Sequence, residues 1–98
     1  MEKKEEFRYS ERVIFRKGDK MRVSSGPYYP AKDGTKISMG ECGVYIFSHV
    51  CEQGHVWATS VKRKTMCLIY VGKEYVSEAT GTVMRPHKLR KIRKKKKS

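Results

Sequence analysis

The chain has 98 residues, 38% of them hydrophobic, and carries a formal net charge of +13. A chain this short makes one small domain with too little core for a deep catalytic cleft, so an enzyme is not expected. No apolar run approaches the ~20 residues that cross a bilayer, so no membrane partner is expected either.

Residues 1–9 are charged and of mixed sign, and are expected as an extension, either disordered or a short frayed helix. Val13-Ile14-Phe15 is the first apolar anchor, followed by a turn at Arg16-Lys17-Gly18-Asp19. Lys20-Met21-Arg22-Val23 alternates polar and apolar, the pattern of a half-buried strand. Ser24 to Pro30 reads as a loop, punctuated by Gly26, Pro27 and Pro30. Asp33-Gly34, between Tyr28-Tyr29 and Thr35-Lys36-Ile37, predicts a hairpin with a type I′ turn. Gly40 to Gly43 bends the chain into Val44–Val50. That segment is apolar on both alternating sets near its start, and is expected to be a central strand covered on both faces.

Glu52-Gln53-Gly54 then turns the chain into an antiparallel partner, His55 to Val61. Lys62-Arg63-Lys64 is a basic turn tip, and Thr65 to Val71 is the next strand. Tyr75-Val76-Ser77 is a turn of helix or an edge segment. Gly81 to Arg85 is the last full strand; Pro86 breaks it, and Leu89 and Ile92 add one short piece. Short strands at regular spacing with turn signals between them define an all-β chain. Closure removes exposed edges, so a small barrel is the expected form. It takes five to seven short antiparallel strands over residues 10–89, flanked by the extension 1–9 and a basic tail, 90–98.

The segment Gly18-Asp19-Lys20-Met21-Arg22-Val23-Ser24-Ser25-Gly26-Pro27-Tyr28 resembles a KOW motif, with Gly40-Glu41-Cys42-Gly43-Val44 as its closing element. Tyr29 to Met39 intervenes where that family has only a few residues, as an inserted hairpin would. The ending Val83-Met84-Arg85-Pro86-His87-Lys88-Leu89-Arg90-Lys91-Ile92 resembles the strand, short turn and strand that close SH3-like barrels. The resemblance implies an SH3-like barrel of the kind found in ribosomal and transcription-elongation proteins. It also implies loop contacts with nucleic acid, at Tyr28 above all. RNA is favoured over DNA on this ground alone, as is a place in a ribonucleoprotein or transcription complex.

Charge points to the same partner without the resemblance. From Arg85 to Lys97 nine of thirteen residues are Lys or Arg and none is acidic. Such an arm neutralises phosphates and releases condensed counterions. The expected contacts from this end are Arg85, His87, Lys88, Arg90, Lys91, Arg93, Lys94, Lys95, Lys96 and Lys97. Arg22, Lys32, Lys36, Lys62, Arg63 and Lys64 add basic groups from the body, and Tyr28 and Tyr29 add rings on which unpaired bases can stack. Of that tyrosine pair, one is expected packed and one exposed. Tyr45, Phe47 and Trp57 are expected in the core. The alternative is a protein-interaction module that binds a peptide in a groove of Tyr28, Tyr29, Tyr45 and Trp57.

The three cysteines, Cys42, Cys51 and Cys67, are an odd count with no apolar leader ahead of them. That argues against a disulfide framework and for a reducing, intracellular setting, cytoplasmic or nucleoid/nuclear. Cys42, His49, Cys51 and His55 lack the paired spacings of structural zinc sites, so no cofactor is implied. No phosphate loop, nucleophile elbow or zinc-protease helix occurs in the sequence.

Overall fold

The computed structural model describes residues 4–38 and 42–92. Those residues form strands and turns, with no helix among them. In chain order the strands are β1 (Glu6–Arg8), β2 (Ile14–Arg16), β3 (Lys20–Ser25), β4 (Tyr28–Pro30), β5 (Lys36–Ser38) and β6 (Gly43–Val50). They continue with β7 (Val56–Ser60), β8 (Met66–Ile69), β9 (Tyr75–Val76), β10 (Val83–Met84) and β11 (His87–Ile92). All pair antiparallel, in three sheets ordered β1-β2, β5-β4-β10-β9 and β11-β3-β6-β7-β8.

The five-stranded sheet holds the core, because its strands alternate. Met21 and Val23 of β3, Tyr45 and Phe47 of β6, Val56 and Ala58 of β7, Ile69 of β8 and Leu89 of β11 are all buried on its inner face. Phe15 closes the cluster from β2. Each fully buried Val, Leu or Phe contributes about 1.5–3 kcal/mol relative to exposure, and the small body depends on these few residues.

Among the described residues eleven strands form where five to seven were expected. The segment 1–9 is neither helical nor without structure where described. Phe7 pairs with Phe15 and Glu6 with Arg16, so the partner strand supplies what local sequence lacks. The insertion is a hairpin, as expected: Tyr29 faces Ile37 and Pro30 faces Lys36. Its turn is not type I′, however. Ala31 N–H donates to the Thr35 carbonyl and Gly34 N–H to the Ala31 carbonyl. Only Gly34 takes positive φ, +89°, which is the three-residue loop with a left-handed glycine. Gly81 to Arg85 contains only the two-residue β10, and the longer closing strand is β11, which begins just after Pro86. Arg90, Lys91 and Ile92, expected in the tail, are strand residues.

The sheets do not close into a hydrogen-bonded barrel among the described residues: β11 and β8 are the two edges of the larger sheet. One backbone bond links their ends, from His87 N–H to the carbonyl of Tyr70, 2.8 Å.

Candidate nucleic-acid interface

A strand's period of two sorts the basic residues of the five-stranded sheet into two classes. On β11, Leu89 faces inward and is buried, while Lys88 and Arg90 face outward and are exposed. On β3, Met21 and Val23 face inward, while Lys20 and Arg22 face outward and are exposed. The two strands are neighbours, with Lys88 opposite Ser24, Arg90 opposite Arg22 and Ile92 opposite Lys20. Four cations therefore share one face of two adjacent strands.

The acids nearby are committed elsewhere. Glu6 pairs with Arg16 at 3.1 Å and Glu5 with Lys17 at 3.2 Å. Asp19 pairs with Lys91 at 3.2 Å. Among the described residues none of Lys20, Arg22, Lys88 or Arg90 has an acidic partner. Lys20 is not among the residues expected from sequence; its alternation with Met21 and Val23, on the same face as Arg22, is the signal that could have found it.

Two residues of the C-terminal run that were expected to touch nucleic acid are structural instead. His87 is only 4% exposed. Its ring lies against Gly26, where an added Cβ would come within 2.4 Å of Nε2. Lys91 lies opposite the inward-facing Met21. Its ammonium donates to the Ile14 carbonyl at 2.8 Å as well as to Asp19. Arg93, Lys94, Lys95, Lys96 and Lys97 lie outside the described residues.

A second cluster forms on the four-stranded sheet. The Arg85 guanidinium stands 4.7 Å from the centroid of the Tyr28 ring, and the Lys36 ammonium 5.0 Å from it. Arg85 Nε also donates to the Gly26 carbonyl at 3.2 Å. Tyr28 is half-buried and Tyr29 is 42% exposed, so Tyr29 is the more outward ring of the pair. Lys32 is exposed at the hairpin tip beside Asp33.

Lys62, Arg63 and Lys64 form the β7–β8 turn and are exposed. Ser60 N–H donates to Thr65 O at 2.8 Å and Lys64 N–H to Ser60 O at 2.7 Å. The turn places Lys64 in the left-handed region, φ +58°. The Ser77–Thr82 turn repeats both bonds, at 2.9 Å and 2.7 Å, with Gly81 at the equivalent place.

The outer face of β6–β8 differs from both expectations made for it. The β6 strand is buried on one face only, with Val44 and Ile46 half-buried on the other. Trp57 is also half-buried on that outer face and is not in the core. The alternation of β7 turns Val56, Ala58 and Ser60 inward and so Trp57 outward, and opposite it β6 carries a bulge between Phe47 and His49. Phe47 faces Ala58 inward, and one extra residue, Ser48, turns His49 outward to face Trp57. The His49 and Trp57 rings lie 16° from parallel with centroids 6.5 Å apart. Desolvation would raise the pKa of the nearby Cys51 thiol. Hydrogen bonds from the His55 and Gln53 backbone and from the Trp57 side chain outweigh it, and the net shift is downward. Among the described residues no three His, Cys, Asp or Glu side chains converge as a metal-binding group.

Of the four residues of the alternative peptide groove, Tyr45 is buried at 1% exposure, and Tyr28 and Tyr29 belong to a different sheet from Trp57. Neither a protein-family model, nor a curated protein, nor a solved structure matches the chain. Among the described residues there is no helix, and so none long and apolar enough to cross a membrane.

Proposed function

We propose that the chain binds nucleic acid, with RNA ahead of DNA, through the cationic face of β3 and β11 and the basic run that follows β11 in sequence. The observation that carries this reading is the Arg22–Arg90 pair, flanked by Lys20 and Lys88, with no acidic partner for any of the four among the described residues. Like charges directly opposite on neighbouring strands destabilise a sheet. Phosphates between and above them reverse that sign and release counterions. The KOW resemblance, carried by Gly18 to Tyr28, supports RNA and a role inside a ribonucleoprotein or transcription complex. The strand order β11-β3-β6-β7-β8, with the His87–Tyr70 bond at its ends, supports reading the body as an SH3-like barrel.

Salt titration against a generic RNA tests the proposal. Affinity falls steeply with salt for the whole chain. The slope flattens when Arg22 and Arg90 become Gln, by roughly 0.7 for each single-strand phosphate that is no longer neutralised. It flattens further when residues 93–98 are removed, a truncation that spares every described strand. Affinity unchanged by both variants would remove the proposal.

A further inference from the structure

We propose that the outer face of the five-stranded sheet is built for a single strand, with unpaired bases stacked on Trp57 while the phosphates run along Lys20, Arg22 and Arg90. This inference rests on the nucleic-acid reading above and specifies the form of the ligand.

The geometry is that of one continuous surface with two chemical halves. The register aligns Ile92, Lys20, Ile46, Thr59 and Met66 in one cross-strand row. His49, Trp57 and Leu68 make the row beside it. Neighbouring strands lie ~4.8 Å apart, so Lys20 and Thr59 are separated by ~10 Å. The β3–β11 half is cationic, and the β6–β8 half is apolar and aromatic. Met66 is 49% exposed and Leu68 39% exposed, flanking a half-buried indole. No acidic residue occurs on β3, β6, β7, β8 or β11.

Charge alone does not distinguish a duplex from a single strand, but the apolar half does. A duplex offers phosphates and hides its bases in the stack. A single strand offers both, and its π-faces suit an aromatic platform beside a basic track. The bulge at Ser48 is the second, independent observation. An unbroken alternation from Phe47 would send His49 inward; the extra residue brings the imidazole beside the indole on the outer face. Bulges recur where a side chain must be re-aimed.

Trp57 is the chain's one tryptophan, which makes its emission a direct reporter of stacking. The whole chain is titrated with oligo(rU), with a poly(rA)·poly(rU) duplex and with heparin, a polyanion without bases. Oligo(rU) is expected to quench the emission and to bind at least about five-fold more tightly than the duplex, while heparin binds without quenching. Trp57→Leu and His49→Ala lose about five-fold or more for oligo(rU) and keep heparin affinity. The wild-type quenching needs no variant, so a misfolded substitution does not obscure the result. Binding of oligo(rU) with unchanged emission, or equal affinity for both RNA forms, overturns the single-strand inference and leaves the nucleic-acid reading standing. If none of the three polyanions binds, the nucleic-acid reading falls and this inference falls with it.

Discussion

Arg22 and Arg90 are direct cross-strand partners, both exposed, and neither has a carboxylate partner among the described residues. The pair sets stability against binding. Replacing Arg22 by Gln should stabilise the free protein by about 0.2–1 kcal/mol at low salt, with the gain shrinking as salt rises. The same change should weaken RNA binding. Urea midpoints and RNA affinities for R22Q, R90Q and the double variant check both signs, and the second substitution should add little stability because the repulsion is already gone.

The twin turns give a second test. Lys64 holds the left-handed conformation that Gly81 holds in the equivalent loop. A non-glycine residue there costs about 1–2 kcal/mol, part of which glycine gives back in chain entropy. K64G should therefore raise stability by up to about 1 kcal/mol, and Gly81→Ala should lower it by a similar amount. Thermal melts of the two variants, which should move in opposite directions, decide this.

Gly26 is constrained by its neighbour as well as by its φ of +99°. A Cβ at that position meets the imidazole of His87 at 2.4–2.9 Å, and that ring is buried with little room to retreat. Gly26→Ala should cost more than about 2 kcal/mol. His87→Ala in the same chain should recover part of the loss by clearing the space, leaving the backbone strain. A double-mutant cycle by urea unfolding separates the two contributions.

Asp19 predicts an acid limb to stability. Burial alone would raise its pKa, but the Arg16 backbone N–H at 2.8 Å and the Lys91 ammonium at 3.2 Å outweigh it, and the net shift is downward. A carboxylate with a lowered folded-state pKa binds its proton more readily in the unfolded chain. Its contribution is therefore whole above the ordinary value of 3.8 and disappears as pH falls through the lowered one. Asp19→Asn should be less stable than wild type near neutral pH by roughly 1 kcal/mol. The gap should close in strong acid, as read from urea midpoints across that range.

Much of this was legible in the sequence, and the reasons differ by residue. The alternation Lys20-Met21-Arg22-Val23 announced a half-buried strand, and Asp33-Gly34 announced the inserted hairpin. The C-terminal run was harder to read because its charge is uniform while its strand is not. Only pairing with β3 shows that Lys88 and Arg90 face out while Lys91 turns toward Asp19. The β1–β2 hairpin was hidden because Glu6–Arg8 has few strand-forming residues of its own and depends on Phe15 across the turn. Trp57 faces out by the plain alternation of Val56, Ala58 and Ser60, which the size of its ring masks, and nothing in Phe47-Ser48-His49 marks the bulge that turns His49 out beside it. Such a bulge is decided by two ladders meeting: Phe47 bonds back to Gly18 and Asp19, while Val50 bonds to Lys4.

Ser48 also bears on how the chain can change by descent. A one-residue deletion there would only remove the bulge: His49 would follow Phe47 in plain alternation and still face Trp57. Losing a residue from the Ala31–Thr35 tip shifts no frame in the larger sheet. Lineages derived from this protein should therefore drift in hairpin length, and can shed the extra residue at position 48 without turning His49 away from Trp57.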